Sequence, residues 1–342
     1  MFKRTIMICL AVNNIATITK GTIDLSYLNR IVWLAAICIL FHTSCATDKG
    51  ATDKTDNEIP LKERLHTIVN SVPGTVGIGF ISDTDTLSIN NSVHYPMMSV
   101  FKLHQALAVA DETYNRHSSI DSVIHVSKDE LDMETWSPML KIYRDSDFDI
   151  SIRDLIKYAL TVSDNNASNL LFRHVVSPST TDSLIRSISD DPTFQIVYSE
   201  EEMKTKHALA YLNYSTPLSA ASLIRQVFDS TFTTNPAIDS IREDLATVTT
   251  GLDRLGAIKH QHPELFFVHK TGSGYRNDAG ELIAHNDVGY FRLPDGRAYA
   301  LAVFIRDFSG TEAEASEIIA SISHEVYEWL ISHPGGRMLS LS

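Results

Sequence analysis

The chain is 342 residues long, 44% hydrophobic and 21% charged, a balance that suits a globular protein with a sizeable core, in one large domain or two ordinary ones. Its formal net charge of −13 argues against nucleic acid as a partner and against electrostatic docking on anionic lipid, so the expected partners are small molecules. The cysteines are Cys9, Cys38 and Cys45, which excludes a disulfide framework, a thiolate zinc site and a cysteine nucleophile from everything beyond Cys45.

Residues 1–30 are mixed, show no strong period and are longer than the basic region of a secretory signal, with Met7 one alternative start. Arg30 leads into an apolar run from Ile31 to Phe41, and Thr43 and Ser44 precede Cys45. A basic residue, a short apolar stretch and a small-residue exit form the pattern of an export signal. The run is too short to span a bilayer comfortably. Residues 1–45 are therefore read as a leader and the polar residues 46–58 as a linker, and the chain is expected in the periplasm. Cys45 stands as the cysteine does at a bacterial lipoprotein cleavage site, although His42 occupies a position where an aliphatic residue is usual. Export with and without a lipid anchor at Cys45 both remain open.

From Ile59 onward the pattern changes. Leu61, Leu65, Ile68 and Val69 are spaced for an amphipathic helix. Gly74–Ser82 and Asp85–Ile89 read as a hairpin around Asp83-Thr84. A mainly helical middle follows, from Ser99 to about Leu245. Its first helix starts near Ser99, after Pro96, with Val100, Leu103, Leu107 and Ala110 on one face. Ser151-Ile-Arg-Asp154 is a capping-box start to a helix running towards Val162. Strands return at Leu265–Gly272, Val288–Leu293 and Tyr299–Arg306, the last two joined by a turn at Pro294-Asp295-Gly296. A final amphipathic helix covers roughly Thr311 to Leu330, with Ile318, Ile319, Ile322 and Val326 on one side. The order of helix, strands, helices, strands and helix predicts an α+β fold. One antiparallel sheet is built from both ends of the chain, residues 59–96 and 246–335, with a helical domain, residues 97–245, inserted between them.

Four clusters carry chemistry. Ser99 sits at a helix start, where free N–H groups and the helix dipole favour negative charge. Lys102 is three residues on and on the same face, so its amine can reach the Ser99 hydroxyl and activate it. Ser163-Asp164-Asn165 falls where the preceding helix would stop: the Ser163 hydroxyl can pass a proton and the Asn165 amide can hold a substrate amide. Lys270-Thr271-Gly272-Ser273 ends a strand, and Gly272 removes a side chain where a ligand or another backbone could come close. Glu200 lies in Ser199-Glu-Glu-Glu-Met203, at the start of a long irregular connection to Asn213. Taken singly, each has an ordinary reading: a capped helix, a turn, an edge lysine, a solvated acidic loop. His260-Gln-His262 resembles half a zinc site but lacks the aspartate such a site needs, so it reads as a solvated loop and no metal is expected.

Together the clusters say more. Ser-x-x-Lys, Ser-Asp-Asn 64 residues later and Lys-Thr-Gly a further 107 later is the ordered signature of serine β-lactamases and penicillin-binding proteins. From about residue 59 to 335 the chain resembles the class A β-lactamases. Thr135-Trp136-Ser137-Pro138, Ser163-Asp-Asn-Asn-Ala167, Thr250-Gly-Leu-Asp-Arg254 and Asn286-Asp-Val-Gly289 make it similar to the branch typified by Bacteroides-type cephalosporinases and their extended-spectrum relatives. The resemblance implies a five-stranded antiparallel sheet flanked by the terminal helices, an inserted all-helical domain and an active site between the two. It implies hydrolysis of penicillins and cephalosporins through a serine acyl-enzyme, without a cofactor, by a protein expected to be a monomer. By the same resemblance Ser99 is the nucleophile and Lys102 orients and helps deprotonate it. The backbone N–H groups of Ser99 and Ser273 form the oxyanion hole, Ser163 relays a proton to the lactam nitrogen, and Asn165 binds the acylamido side chain. Lys270, Thr271 and Arg254 hold the substrate carboxylate, with Gly272 in the same motif, and Trp136 borders the entrance. Glu200, three before Met203 and thirteen before Asn213, matches the base that activates the deacylating water. Many relatives carry an amide four residues after that glutamate. Lys204 stands there instead, so its amine is expected to depress the Glu200 pKa or compete for its hydrogen bonds. A peptidoglycan carboxypeptidase would share three of the motifs but lack Glu200. A sensor that stays acylated would show a broken glutamate loop or an attached transducing helix.

Overall fold

The computed structural model describes residues 60–229 and 232–333; the expected leader, linker and lipid-anchor cysteine lie outside them. Helix α1 (Leu61–Asn70) precedes the hairpin of β1 (Thr75–Ser82) and β2 (Thr86–Ile89). Strand β3 (Tyr95–Pro96) and a 3-10 turn (Met98–Val100) lead into α2 (Phe101–Asn115). The middle continues with β4 (Val123–Val126), α3 (Leu140–Tyr143), β5 (Phe148–Ser151), α4 (Ile152–Thr161), α5 (Asn165–His174), α6 (Pro178–Ile188) and β6 (Phe194–Gln195). Next come α7 (Glu200–Thr205), a 3-10 segment (His207–Leu212), β7 (Tyr214–Ser215), α8 (Pro217–Val227) and α9 (Ala237–Leu245). A 3-10 segment (Leu255–His260), β8 (Phe266–Ser273), β9 (His285–Arg292), β10 (Ala298–Arg306) and α10 (Glu312–Ser332) complete the described chain.

The main sheet has five strands in the order β2-β1-β10-β9-β8, every neighbouring pair antiparallel. Strands from the start of the chain thus pair directly with strands from its end. Alternation along β10 shows why the sheet is buried on both faces. Tyr299, Leu301, Val303 and Ile305 pack with Leu61 and Leu65 of α1 and with Ile319, Ile322 and Val326 of α10. Ala300, Ala302 and Phe304 point the other way, into the core shared with Ala220 and Leu223 of α8. Each fully buried isoleucine or valine of α10 contributes about 1.5–3 kcal/mol. The small side chains facing α8 let it come close: a Cβ on Gly79 would run into the Pro217 backbone at the start of that helix.

Local signals set the element ends. Thr311 caps α10 in a capping box with Glu314, and Thr216 caps α8 ahead of Pro217. Ser151 caps α4 by accepting the Asp154 N–H at 3.0 Å, but the reciprocal arm of a capping box is missing. The Asp154 carboxylate takes the Ser151 hydroxyl instead, at 2.7 Å. Two departures from expectation lie in the middle of the chain. It is not purely helical, since β4 pairs with β5 and β7 bridges β3 and β6. The connection after Ser199 is not irregular either. Ser199 and Glu202 form a capping box that starts α7, so the acidic run is an ordered helical turn with its acids at the positive end of the dipole.

Candidate active site

Ser99 lies in the 3-10 turn that feeds α2, one turn earlier than the α-helix proper. Lys102, in the first turn of α2, is fully buried. Its Nζ donates towards four acceptors: Ser99 Oγ at 3.1 Å, the Ser163 carbonyl at 2.9 Å, Asn165 Oδ1 at 2.6 Å and Glu200 Oε1 at 3.0 Å. An ammonium carries three N–H donors, so one of these contacts is shared. The Ser99 hydroxyl in turn donates to Glu200 Oε1 at 3.2 Å. The serine oxygen therefore has a buried amine and a buried carboxylate within hydrogen-bond reach.

Ser163 is placed by strain. It follows α4 with φ of 57°, in the left-handed region that non-glycine residues seldom occupy and that costs on the order of 1–3 kcal/mol. This turn of the backbone sends the Ser163 carbonyl to Lys102 and its hydroxyl to Lys270, whose Nζ donates at 3.0 Å. Asp164 caps α5 and also takes the Ser137 hydroxyl and the Met139 N–H, both at 2.8 Å. The entrance residues are thereby tied to the Ser-Asp-Asn turn. Asn165 is half-buried, accepts from Lys102 and donates to Thr135 Oγ1 at 2.9 Å. Trp136 is 62% exposed, with its indole N–H on the Val162 carbonyl at 2.9 Å.

Across the cleft, β8 brings Lys270, Thr271, Gly272 and Ser273. Lys270 is on the sheet edge yet fully buried, unlike an ordinary edge lysine. Burial, and then the charge of Lys102, push its ammonium well below the usual lysine range. Thr271 Oγ1 meets Thr250 Oγ1 at 3.0 Å. Gly272 passes directly against the nucleophile turn: a Cβ there would strike the Met97 carbonyl and stand 3.2 Å from Val100 N. Only glycine lets strand and turn approach this closely. Arg254 lies beneath the exposed Ser273, donating to its hydroxyl at 2.6 Å and to the Asn286 carbonyl at 2.7 Å. Burial lowers its pKa, but a guanidinium remains charged.

All eleven residues expected in the site are thus brought to one cleft or its rim. Lys204 is different from expectation. Its amine is 2.6 Å from Asp132 and not on Glu200. Burial raises the Asp132 pKa, but the Lys204 amine and the Glu134 N–H outweigh it and hold the carboxyl below its ordinary value. Asn286 was not expected in the site. Its side-chain N–H groups reach the Pro96 carbonyl at 2.8 Å and the Met97 carbonyl at 3.2 Å, fastening β9 to the nucleophile turn. The signal available was the motif Asn286-Asp-Val-Gly289, whose Asn286 stands at the polar start of β9, ahead of the strand read at Val288–Leu293. His262 of the His-Gln-His stretch rests on the Tyr327 hydroxyl at 3.0 Å.

The cleft has what acyl transfer requires: a nucleophile, a carboxylate able to take its proton, an ammonium placed between the two, a hydroxyl next to a buried cation and a further buried cation beneath Ser273. Comparison with known proteins points the same way. The model of the β-lactamase enzyme family matches residues 60–330. A β-lactamase of Phocaeicola vulgatus is 41% identical over 308 residues, spanning 88% of this chain and 95% of that protein. The TLA-3 extended-spectrum β-lactamase has a similar structure, with a TM-score of 0.76 at 30% identity over 79% of this chain and 98% of that one. A representative class A β-lactamase from Bacteroides cellulosilyticus gives a TM-score of 0.72 at 32% identity, over 80% of this chain and all of that one.

Proposed function

The chain belongs to the β-lactamase enzyme family, and from that premise we propose that Ser99 is the nucleophile that opens the lactam ring. The protein is a class A serine β-lactamase, which hydrolyses β-lactam antibiotics and gives resistance to them. Ser99 Oγ bonds to the lactam carbonyl carbon, its proton passing to the Glu200 carboxylate directly at 3.2 Å or through Lys102, which takes it at 3.1 Å as it gives one of its own N–H protons to Glu200 at 3.0 Å. Negative charge then builds on the carbonyl oxygen at the start of α2, with the Ser99 and Ser273 N–H groups as its donors. As the C–N bond breaks, the Ser163 hydroxyl gives its proton to the lactam nitrogen and takes one from the Lys270 ammonium at 3.0 Å. Lys270 regains a proton from solvent and Glu200 releases the one that came from Ser99, so its carboxylate is free again for deacylation. Asn165 holds the acylamido group of the substrate. Lys270, Thr271 and Arg254, the last through the Ser273 hydroxyl, bind its carboxylate, and Trp136 walls the entrance.

Deacylation belongs to Glu200. It takes a proton from water, the resulting hydroxide attacks the ester, and the proton returns to Ser99 Oγ. One observation carries this reading: a carboxylate only 4% exposed stands 3.2 Å from the serine oxygen. A penicillin-binding carboxypeptidase has no such group. Penicillins and cephalosporins are the proposed substrates. A monomer suffices, because every residue named comes from one chain. Export is supported by the apolar run Ile31–Phe41 ahead of Cys45, with lipidation of Cys45 as its membrane-anchored form.

The test is Ser99→Ala. The position is a helix start that accepts a small side chain, so the variant should fold and lose all hydrolysis. A penicilloyl adduct detected on that variant by intact mass would remove Ser99 as nucleophile.

A further inference from the structure

We propose that Tyr211, Arg306 and Asp307 form a clamp that positions Glu200 for deacylation. This rests on Glu200 being the deacylating base. Glu200 stands in the loop from Val197 to Asn213, and the neck of that loop is closed by Asn213. Its Oδ1 accepts the N–H groups of Val197 and Tyr198 at 2.8 and 2.9 Å, and its Nδ2 donates to the Tyr198 carbonyl at 2.7 Å. The neck fixes the ends of the loop, and the Leu212 carbonyl accepts from Gln195 Nε2 of β6 at 3.0 Å, but the 3-10 segment His207–Leu212, which follows α7, still needs a tie to the main sheet.

The clamp supplies that anchor. The Tyr211 hydroxyl donates to Asp307 Oδ1, and Arg306 Nε donates to Asp307 Oδ2 at 2.8 Å. The Arg306 guanidinium also lies 4.9 Å from the Tyr211 ring centroid, within cation–π range. Arg306 Nη1 then reaches the His94 carbonyl at 2.8 Å, and the His94 ring stacks on Tyr214 at 3.8 Å. Three separate stretches meet here: the Glu200 loop, the end of β10 and the residue that precedes β3 and the nucleophile turn. At the other end of the 3-10 segment, His207 stacks on Tyr275 with centroids 3.8 Å apart.

Asp307 gives the sharpest clue. Its φ is 51°, in the left-handed region, where glycine would sit without strain. Both oxygens of the aspartate that occupies this place are used, one on Tyr211 and one on Arg306. Burial, and then the Asp307 carboxylate, push the Tyr211 phenol up to about 12, so it stays a donor at ordinary pH. General-base attack by water is sensitive to position, with a 1 Å displacement costing on the order of a hundredfold. Ser99, Lys102, Ser163 and Lys270 sit on elements outside the clamp, and Lys102 stays beside the Ser99 oxygen, so loosening the clamp falls hardest on deacylation, the step that needs Glu200 to hold a water against the ester.

The experiment uses the full chain and a cephalosporin whose deacylation limits turnover, with Tyr211→Phe, Asp307→Gly and Glu200→Gln measured together. Losing deacylation alone lowers kcat and KM in the same proportion and leaves kcat/KM unchanged. Tyr211→Phe should show that pattern, with kcat down about tenfold, a fraction of the displacement penalty. Asp307→Gly should show it too while unfolding at no lower temperature, because glycine relieves the backbone that the clamp strains. An unchanged kcat in both clamp variants, while Glu200→Gln accumulates acyl-enzyme, would sink the clamp and leave Glu200 as the base. A kcat that falls at constant KM, in step with a lower melting temperature, would reduce the clamp to a stabilising contact. Steady turnover by Glu200→Gln without an accumulating adduct would overturn both ideas together.

Discussion

Glu200→Gln keeps the shape and hydrogen-bonding reach of the side chain but removes its ability to take a proton. The loss of a positioned general base costs about 10²–10⁴-fold, which is about 3–5 kcal/mol on the deacylation barrier. The ground state also changes, because Lys102 loses its counter-charge at 3.0 Å. That loss is softened by the contacts it keeps to Ser99 Oγ, the Ser163 carbonyl and Asn165 Oδ1, so the fold should weaken by about 1–3 kcal/mol. The two neighbouring acids serve as controls. Glu201 is exposed and pairs with Arg173 at 2.5 Å, a contact worth about 0–1 kcal/mol. Glu202 closes the capping box of α7, a role glutamine also fills. The assay is intact mass after brief mixing with a good cephalosporin. Glu200→Gln should carry a full, long-lived adduct, while Glu201→Gln and Glu202→Gln should have released product. A persistent adduct on either control, and none on Glu200→Gln, would show that the base has been placed in the wrong register of this loop.

Lys270 should give the pH profile its alkaline limb. Its folded pKa lies below the ordinary 10.5 because of burial and then Lys102, so the ammonium that binds the substrate carboxylate is lost at a pH under that value. KM for carboxylate-bearing substrates should rise across this range, and Lys270→Arg should move the limb to higher pH; an unmoved limb would assign it to another group. Fold stability runs with the opposite sign: between the depressed pKa and 10.5 the unfolded chain binds the extra proton, so stability increases with pH. Arg254→Ala should raise KM about tenfold through loss of roughly one charge-assisted hydrogen bond. It should also lower the melting temperature, since the Asn286 carbonyl loses its donor; an unchanged KM would remove Arg254 from carboxylate binding. Gly272→Ala should force β8 away from the nucleophile turn at an overpacking cost of about 1–3 kcal/mol, seen as a lower melting temperature with a collapse of kcat/KM. Full activity in that variant would mean the strand and turn need not touch.

Periodicity and end signals determined the elements. The strand at Tyr299–Arg306 could be read from its continuous apolar run, which arises because β10 is buried on both faces. The helix from about Thr311 could be read because Ile318, Ile319, Ile322 and Val326 recur at helical period, the face that α10 packs into the core. The ordered Ser-x-x-Lys, Ser-Asp-Asn and Lys-Thr-Gly motifs placed the main catalytic candidates, because each motif is short and sits at the end of an element. Other features had no local signature. The Ser99–Glu200 contact spans 101 residues, the Lys204–Asp132 pair 72, and the Asn286–Pro96 bond 190. Lys204 illustrates the difference: its distance along the chain from Glu200 suggested an effect on that carboxylate, yet the helical turn of α7 aims the amine at Asp132. The left-handed φ of Ser163 and Asp307 was equally hidden, since neither is a glycine. Propensity and hydrophobic period act over a few neighbouring residues, whereas the position of a buried charge is set by whichever distant groups can satisfy it once the sheet has closed.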